Sequence, residues 1–145
     1  MTTCPSKTYE GDIKELEPNA IFVFGSNTQG RHGKGAALIA KNKFGAIYGQ
    51  AEGLQGRSYA IITKDLTKKN HPSRSKEQIE EQIKKLYCFA LENKEKEFYI
   101  AYKGDGLNLN AYSSNEMACM FKCMQIPANM VFEKTFRELL ETISR

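Results

Sequence analysis

The sequence predicts an α/β protein, a three-layer α/β/α sandwich around a mixed, mostly parallel central sheet. Two observations carry this. Short apolar runs rich in β-branched and aromatic residues alternate with segments of helical periodicity along the chain. Such alternation implies parallel pairing, with helices on both faces of the sheet. The 145 residues, 41% hydrophobic and 26% charged, are the length and composition of a single globular domain, expected to span residues 1–145.

Residues 1–20 are polar, with Gly11-Asp12-Ile13 the one marked triplet. Ile21–Gly25 (Ile-Phe-Val-Phe-Gly) reads as a buried strand. Lys34 to about Phe44 reads as a helix, with Ala37, Ile39, Ala40 and Phe44 as packing residues and Gly45 as its stop. Ile47–Arg57 reads as a glycine-rich loop. Ser58–Thr63 (Ser-Tyr-Ala-Ile-Ile-Thr) is a second buried strand, followed by a basic loop over residues 64–75. Ser75 and Gln78 form a capping box that opens the strongest helix, with Ile79, Ile83, Leu86, Tyr87, Ala90 and Leu91 at helical spacing. Glu97–Tyr102 is a third strand. Lys103-Gly-Asp-Gly-Leu-Asn108 is a second glycine loop. Ser113 and Glu116 make another capping box before a helix through Met117, Met120 and Phe121. Met130–Phe132 is a short last strand. Thr135–Ile143 closes the chain as a helix, with Phe136, Leu139, Leu140 and Ile143 inward.

The stretch from Ile21 to Ala37 carries the most chemical information. A strand runs into a loop holding Gly25, Gly30, Gly33 and Gly35, and a helix starts at once. Glycines let backbone approach a ligand closely, and a helix N-terminus offers unpaired N–H groups and partial positive charge to an anion. Two familiar phosphate motifs fail. After Gly25 and Gly30 comes Arg31-His32, where a P-loop needs Lys and a hydroxyl residue. Gly33-Lys-Gly35 is followed by Leu38, where the dinucleotide fingerprint needs a small residue. A tight turn with glycines serving geometry alone is the competing reading.

Composition limits the alternatives. No apolar run is long enough to span a bilayer and no apolar leader core is present, so a cytoplasmic protein without a membrane partner is expected. Cys4, Cys88, Cys119 and Cys123 show no paired spacing, so reduced thiols are expected, with no metal and no cofactor. The net charge is +4, with basic residues concentrated at Arg31–Lys34 and Lys64–Lys76. Both clusters flank the suspected anion site. A polyanionic small ligand fits, and nucleic acid is the less favoured alternative, because the chain lacks an aromatic-plus-basic RNA-recognition motif. The three loops that leave strand carboxyl ends, at Gly25–Gly35, Lys64 and Gly104–Asn108, are expected to converge on one cleft.

Three segments in this order resemble the macro domain family, whose members bind ADP-ribose. Gly11-Asp12-Ile13 resembles the family's early Gly-Asp-Ile/Leu, and the resemblance implies that Asp12 receives the adenine amino group. Asn27 and its glycine loop resemble the first ligand loop, in which an asparagine meets the distal ribose. Gly104-Asp-Gly-Leu107 resembles the second loop, which wraps the pyrophosphate. The likeness is closest to the branch containing the terminal ADP-ribose protein glycohydrolase. There, a Gly-x-Gly helix start ending in Lys-Phe-Gly is similar to Gly33–Gly35 and Lys43–Gly45, and an Ile-Thr-Lys strand end is similar to Ile62–Lys64. Phe24–Asn27 and Gly53–Ala60 also resemble small phage-related macro-like proteins. The resemblance covers roughly residues 9–140.

The ligand set this implies is Asp12, Ser26, Asn27, Gly30, His32, Gly33, Gly35, Thr63, Gly104, Gly106, Leu107 and Asn108. The implied partner is ADP-ribose or an ADP-ribosylated macromolecule. Lys64, Asp105 and Asn108 are the catalytic candidates for removal of ADP-ribose, and a non-enzymatic reader is the alternative. In the glycohydrolase branch a lysine at the Lys64 position attacks the anomeric carbon, assisted by an aspartate after the second loop's leucine. Here that residue is Asn108, which cannot exchange a proton at neutral pH. Asp105 replaces it only if the loop turns it inward. Lys64 also needs burial or a neighbouring cation to become nucleophilic, with Lys68 or Lys69 as candidates and Asp65 opposing. Plainer readings stand beside these: Asp12, Asn27 and Asp105 as turn residues, His32 as a surface loop residue, Lys64 as a solvated or phosphate-pairing lysine. Tyr99 and Tyr102 are core or cleft-wall aromatics, either of which suits stacking on a base.

Overall fold

A computed structural model describes residues 7–143. Its elements are β1 (Thr8–Tyr9), β2 (Ala20–Asn27), α1 (Gly35–Lys43), β3 (Gly53–Gln55), β4 (Ser58–Lys64), α2 (Lys76–Glu92), β5 (Glu97–Ile100), α3 (Ser114–Phe121), β6 (Met130–Glu133) and α4 (Lys134–Thr142). They form a six-stranded sheet in the order β1-β6-β5-β2-β4-β3. All pairings are parallel except β3 with β4.

The layers follow from the alternation along β2. Ile21 and Val23 point into a cluster with α2, α3 and α4. Phe22 and Phe24 point the other way, into a smaller cluster with Ala37, Ala40 and Phe44 of the α1 segment. A strand buried on both faces reads as a continuous apolar run, as Ile21–Phe24 does. Phe22 stacks on Phe44 with ring centroids 4.8 Å apart. The small side chains Ala37 and Ala40 let α1 lie close to the sheet. On the opposite face Ile79, Ile83, Leu86, Tyr87 and Ala90 of α2 are fully buried.

Both capping boxes form as their sequences imply. The Ser75 and Ser113 hydroxyls accept from the third-residue amides, and Gln78 and Glu116 reach back. Helix α4 is capped by Glu133, whose Oε1 accepts from Thr135 N at 3.1 Å and Phe136 N at 3.2 Å. Helix α1 alone among the four described helices has no side-chain cap. Its N-cap is Lys34 and its first turn carries no acid.

Five sequence expectations change. Residues 53–55 form an edge strand that turns back through Gly56-Arg57 onto β4, where the density of glycines suggests a loop. β1 is a two-residue strand whose pairing depends on β6, more than a hundred positions away, so no local pattern announces it. Leu91 has helical spacing but is 47% exposed. Ile39, expected to pack, is exposed and faces a cleft instead. The third strand ends at Ile100, which frees Ala101–Lys103 to line that cleft. Cys4 lies outside the described residues. No helix among them is long and apolar enough to cross a membrane.

Candidate functional site

The carboxyl ends of β5, β2 and β4 lie side by side in the sheet, and the loops leaving them meet over α1. They enclose two adjoining cavities. The larger, of about 610 Å³, is lined by Asn27, Arg31, Gly33 and Lys34 of the first glycine loop, the first residues of α1, Thr63 and Lys64, and the loop Leu107–Asn110. The smaller, of about 260 Å³, is lined by Gly11–Ile13, Phe22, Ile39, Lys103 and Asp105. Gly35, Ala36, Ala101, Tyr102 and Asn108 line both and form the saddle between them.

Asn27 builds the first loop. Its Oδ1 accepts from Gln29 N at 3.2 Å and Arg31 N at 3.0 Å, and its Nδ2 donates to Arg31 O at 2.9 Å. The loop is then fastened to residues 49 and 50: Gly49 N donates to Gly30 O at 2.8 Å. His32 lies beneath, fully buried, with Nε2 3.2 Å from Gln50 O and 3.1 Å from Gln55 Oε1. It packs edge-on against Phe24.

An irregularity in the sheet aims the next group. β2 and β4 are in register at Ser26 with Ile62, but Asn27 pairs with Lys64, so Thr63 is the extra residue of a bulge. Bulges recur beside functional sites because they redirect side chains. Here two consecutive residues, Thr63 and Lys64, both line the large cavity. Thr63 Oγ1 donates to Ser26 O at 3.2 Å. Gly25 leaves room for the Tyr102 hydroxyl, since a Cβ at position 25 would lie 2.5 Å from it.

Charge divides the two cavities. Arg31, Lys34 and Lys64 line the larger one, and among the described residues no carboxylate does. Burial pushes the Lys64 amine below its usual value, and the nearby Lys34 charge pushes it further the same way. Lys34 lines the cavity together with Lys64, whereas Lys68 and Lys69 are not in its lining. Asp65 is turned into its own loop, accepting from Thr67 N at 2.9 Å and Thr67 Oγ1 at 2.6 Å. The smaller cavity carries Asp12, ion-paired with Lys103, whose ammonium holds the carboxyl below the usual carboxylate range.

The structure brings together Asn27, Gly33, Gly35, Thr63, Lys64, Leu107 and Asn108 at the larger cavity, and Asp12 and Asp105 at the smaller. It does not bring Asp105 into the cavity of Lys64. Asn108 is committed to its own loop, its Nδ2 donating to Tyr112 O at 2.9 Å. Ser26, Gly30, His32, Gly104 and Gly106 line neither cavity. Ser26 and His32 are buried beneath the loops. Gly30 packs against the Gly49–Gln50 backbone and Gly104 against Thr135, so these glycines serve close chain approach. Gly106 has a φ of 138° and exchanges hydrogen bonds with Ser114. The sequence reading missed Lys103 and Leu109. Lys103 stands immediately before the second glycine loop, but its partner Asp12 is ninety-one positions away.

The architecture is that of a macrodomain. The macrodomain of Thermus aquaticus DarG superposes with a TM-score of 0.58 at 22% identity, over 88% of this chain and 95% of that one. The likeness establishes the fold. No family model matches the sequence, and no curated protein matches it significantly.

Proposed function

We propose that the protein binds ADP-ribose. The adenine lies in the smaller cavity against Asp12, the pyrophosphate lies over the start of α1, and the distal ribose lies beside Asn27, Thr63 and Lys64. The observation that carries this reading is the division of charge. A cavity lined, among the described residues, by three cations, no carboxylate and an uncapped helix N-terminus suits phosphate. The adjoining, mainly apolar cavity, with the carboxylates Asp12 and Asp105 and the Lys103 partner of Asp12 at its rim, suits a base bearing an amino group. The volume of the larger cavity lies within the roughly 300–1,000 Å³ usual for small-ligand sites. The macrodomain fold and the family-like loop motifs support the same ligand.

A second reading, removal of ADP-ribose from modified acidic side chains, is favoured by Lys64. Its amine is half-buried, and burial and the Lys34 charge both disfavour the ammonium form, which is the direction a nucleophilic lysine needs. Its attack forms an Nζ–C bond at the anomeric carbon as the C–O bond breaks, and the electron pair leaves on the departing carboxylate. A carboxylate leaves without being protonated, so this step needs no acid in the cavity. The nitrogen gives a proton to solvent. Once solvent returns one, the C–N bond breaks as water bonds to the anomeric carbon. The lysine leaves as a neutral amine, and the water's lost proton goes to solvent as ADP-ribose is released. With Asn108 where related glycohydrolases carry their acid, this second step is expected to be slow, so turnover is slow and the adduct accumulates. The test is reductive trapping of protein incubated with ADP-ribose, whose free aldehyde condenses with an amine by loss of water. Peptide mapping should place the trapped adduct on Lys64, and Lys64→Ala should lose it. An adduct spread over surface lysines, or none, would leave a reader of ADP-ribose without lysine chemistry.

A further inference from the structure

The smaller cavity carries more charge at its rim than one amino group on a base would use. Ile13, Phe22 and Ile39 give it apolar walls, which suit the two faces of a base. Three charged side chains line the same cavity: Asp12, Asp105 and Lys103. The Lys103 ammonium donates to Asp12 Oδ1 and so ties the Gly11–Ile13 segment to the start of the second glycine loop. The backbone here is held as well. The Lys103 carbonyl accepts from Ser114 Oγ at 2.7 Å, and the next amide, Gly104 N, donates to Thr135 Oγ1 at 2.9 Å. The lysine is thus anchored at both ends, by its backbone and by Asp12. Tyr9, also in the lining, has its hydroxyl committed to Ile100 O at 2.6 Å. Both partners of the ion pair remain accessible to solvent, and a pair of that kind is weak enough to open for a ligand.

We propose that Lys103 sets the base specificity of this site, so that the smaller cavity takes a 6-oxopurine, guanine, at least as well as adenine. The inference rests on the nucleotide reading above and refines which nucleoside diphosphate sugar the site accepts. Guanine presents a carbonyl acceptor, a ring N–H donor and an amino donor along one edge. One cation and two carboxylates match one acceptor and two donors. Adenine presents an amino donor, a ring-nitrogen acceptor and a C–H. Its amino group satisfies Asp12 and its ring nitrogen satisfies Lys103, but Asp105 is left without a donor. An ammonium is a usual partner of guanine O6 and N7, whereas beside the adenine amino group it sets donor against donor. Asp12 without Lys103 would reverse the preference, because a lone carboxylate accepts from the adenine amino group and repels the guanine carbonyl. A base seated between apolar walls excludes water from these charged groups, which strengthens each charge-assisted bond.

The test compares ADP-ribose with its guanine analogue, GDP-ribose, by calorimetric titration of wild type, Lys103→Met and Lys103→Arg. Wild type should bind GDP-ribose at least as tightly as ADP-ribose. Lys103→Met keeps an unbranched side chain and removes the cation. It should weaken GDP-ribose binding by about tenfold and change ADP-ribose binding by less than about threefold. Lys103→Arg keeps a cation that donates to a purine carbonyl and should restore the wild-type ratio. The decisive quantity is the ratio of two affinities measured in one protein, so any loss of folded material cancels. The same ratio in wild type and Lys103→Met would overturn the proposal. A wild-type preference for ADP-ribose of about tenfold or more would overturn it too. Heat from neither nucleotide would contradict the nucleotide site itself, and this inference with it.

Discussion

Gly30→Ala is expected to destabilise the protein more than any other single substitution in the ligand loops. Gly30 has a φ of 65°, and a Cβ there would lie 2.6 Å from Gly49 C and 2.7 Å from Gln50 N, both backbone atoms. Left-handed backbone at a residue with a Cβ costs about 1–2 kcal/mol. Forcing two backbones apart costs about 1–3 kcal/mol more. The contact also holds the hydrogen bond from Gly49 N to Gly30 O and the roof over His32. A loss of around 3 kcal/mol, or on the order of 10 °C in Tm, is therefore expected in thermal and urea unfolding. An unchanged Tm would mean that the 27–31 loop is not fastened to residues 49 and 50 as described.

Gly33→Val should have the largest effect on binding and almost none on folding. Gly33 lines the large cavity, its φ lies outside the left-handed region, and a Cβ built there meets nothing within 4 Å. Added bulk therefore occupies free space beside the cavity without displacing protein. If phosphate approaches this backbone, charge-assisted hydrogen bonds are lost, and the affinity for ADP-ribose should drop by roughly a hundredfold or more. The unfolding midpoint should stay within about 0.5 kcal/mol of wild type. Gly35 and Gly106 are poorer probes, because their φ values of 56° and 138° make any side chain strain the backbone as well. Normal ADP-ribose binding by Gly33→Val would show that the loop is a turn and nothing more.

The sequence made the alternation of layers legible because buried parallel strands and capped helices are local patterns. Ile21–Phe24, Ser75 with Gln78, and Ser113 with Glu116 announce themselves within a few residues. β1 does not, since Thr8 and Tyr9 become a strand only when β6 supplies a partner. The convergence of three loops was legible from topology, because parallel strands deliver their carboxyl ends to one edge. The division of labour among the loop residues was not. Nothing in the string Asn-Thr-Gln-Gly-Arg-His distinguishes a residue facing the cavity from one folded beneath it. The structure sends Gly30 and His32 into chain packing and leaves Gly33 and Lys34 at the opening. The bulge that places Thr63 and Lys64 together depends on the register between β2 and β4, which is a property of the pair of strands. Lys34 was visible as one of several basic residues. Its proximity to Lys64 required the helix start and the strand end to be seen together.

The proposed ligand, a nucleoside diphosphate sugar, would span both adjoining cavities, the one lined by Arg31, Lys34 and Lys64 and the mainly apolar one that carries Asp12, Asp105 and Lys103. Calorimetric titration with ADP-ribose, AMP and a short single-stranded oligonucleotide, each at low and moderate salt, tests this most directly. ADP-ribose should bind at micromolar order with one site per chain. AMP should bind at least about tenfold more weakly, because it leaves the Asn27–Lys64 end of the larger cavity empty. Oligonucleotide binding of strong salt dependence, with no measurable heat from ADP-ribose, would contradict the account and assign the basic cleft to nucleic acid.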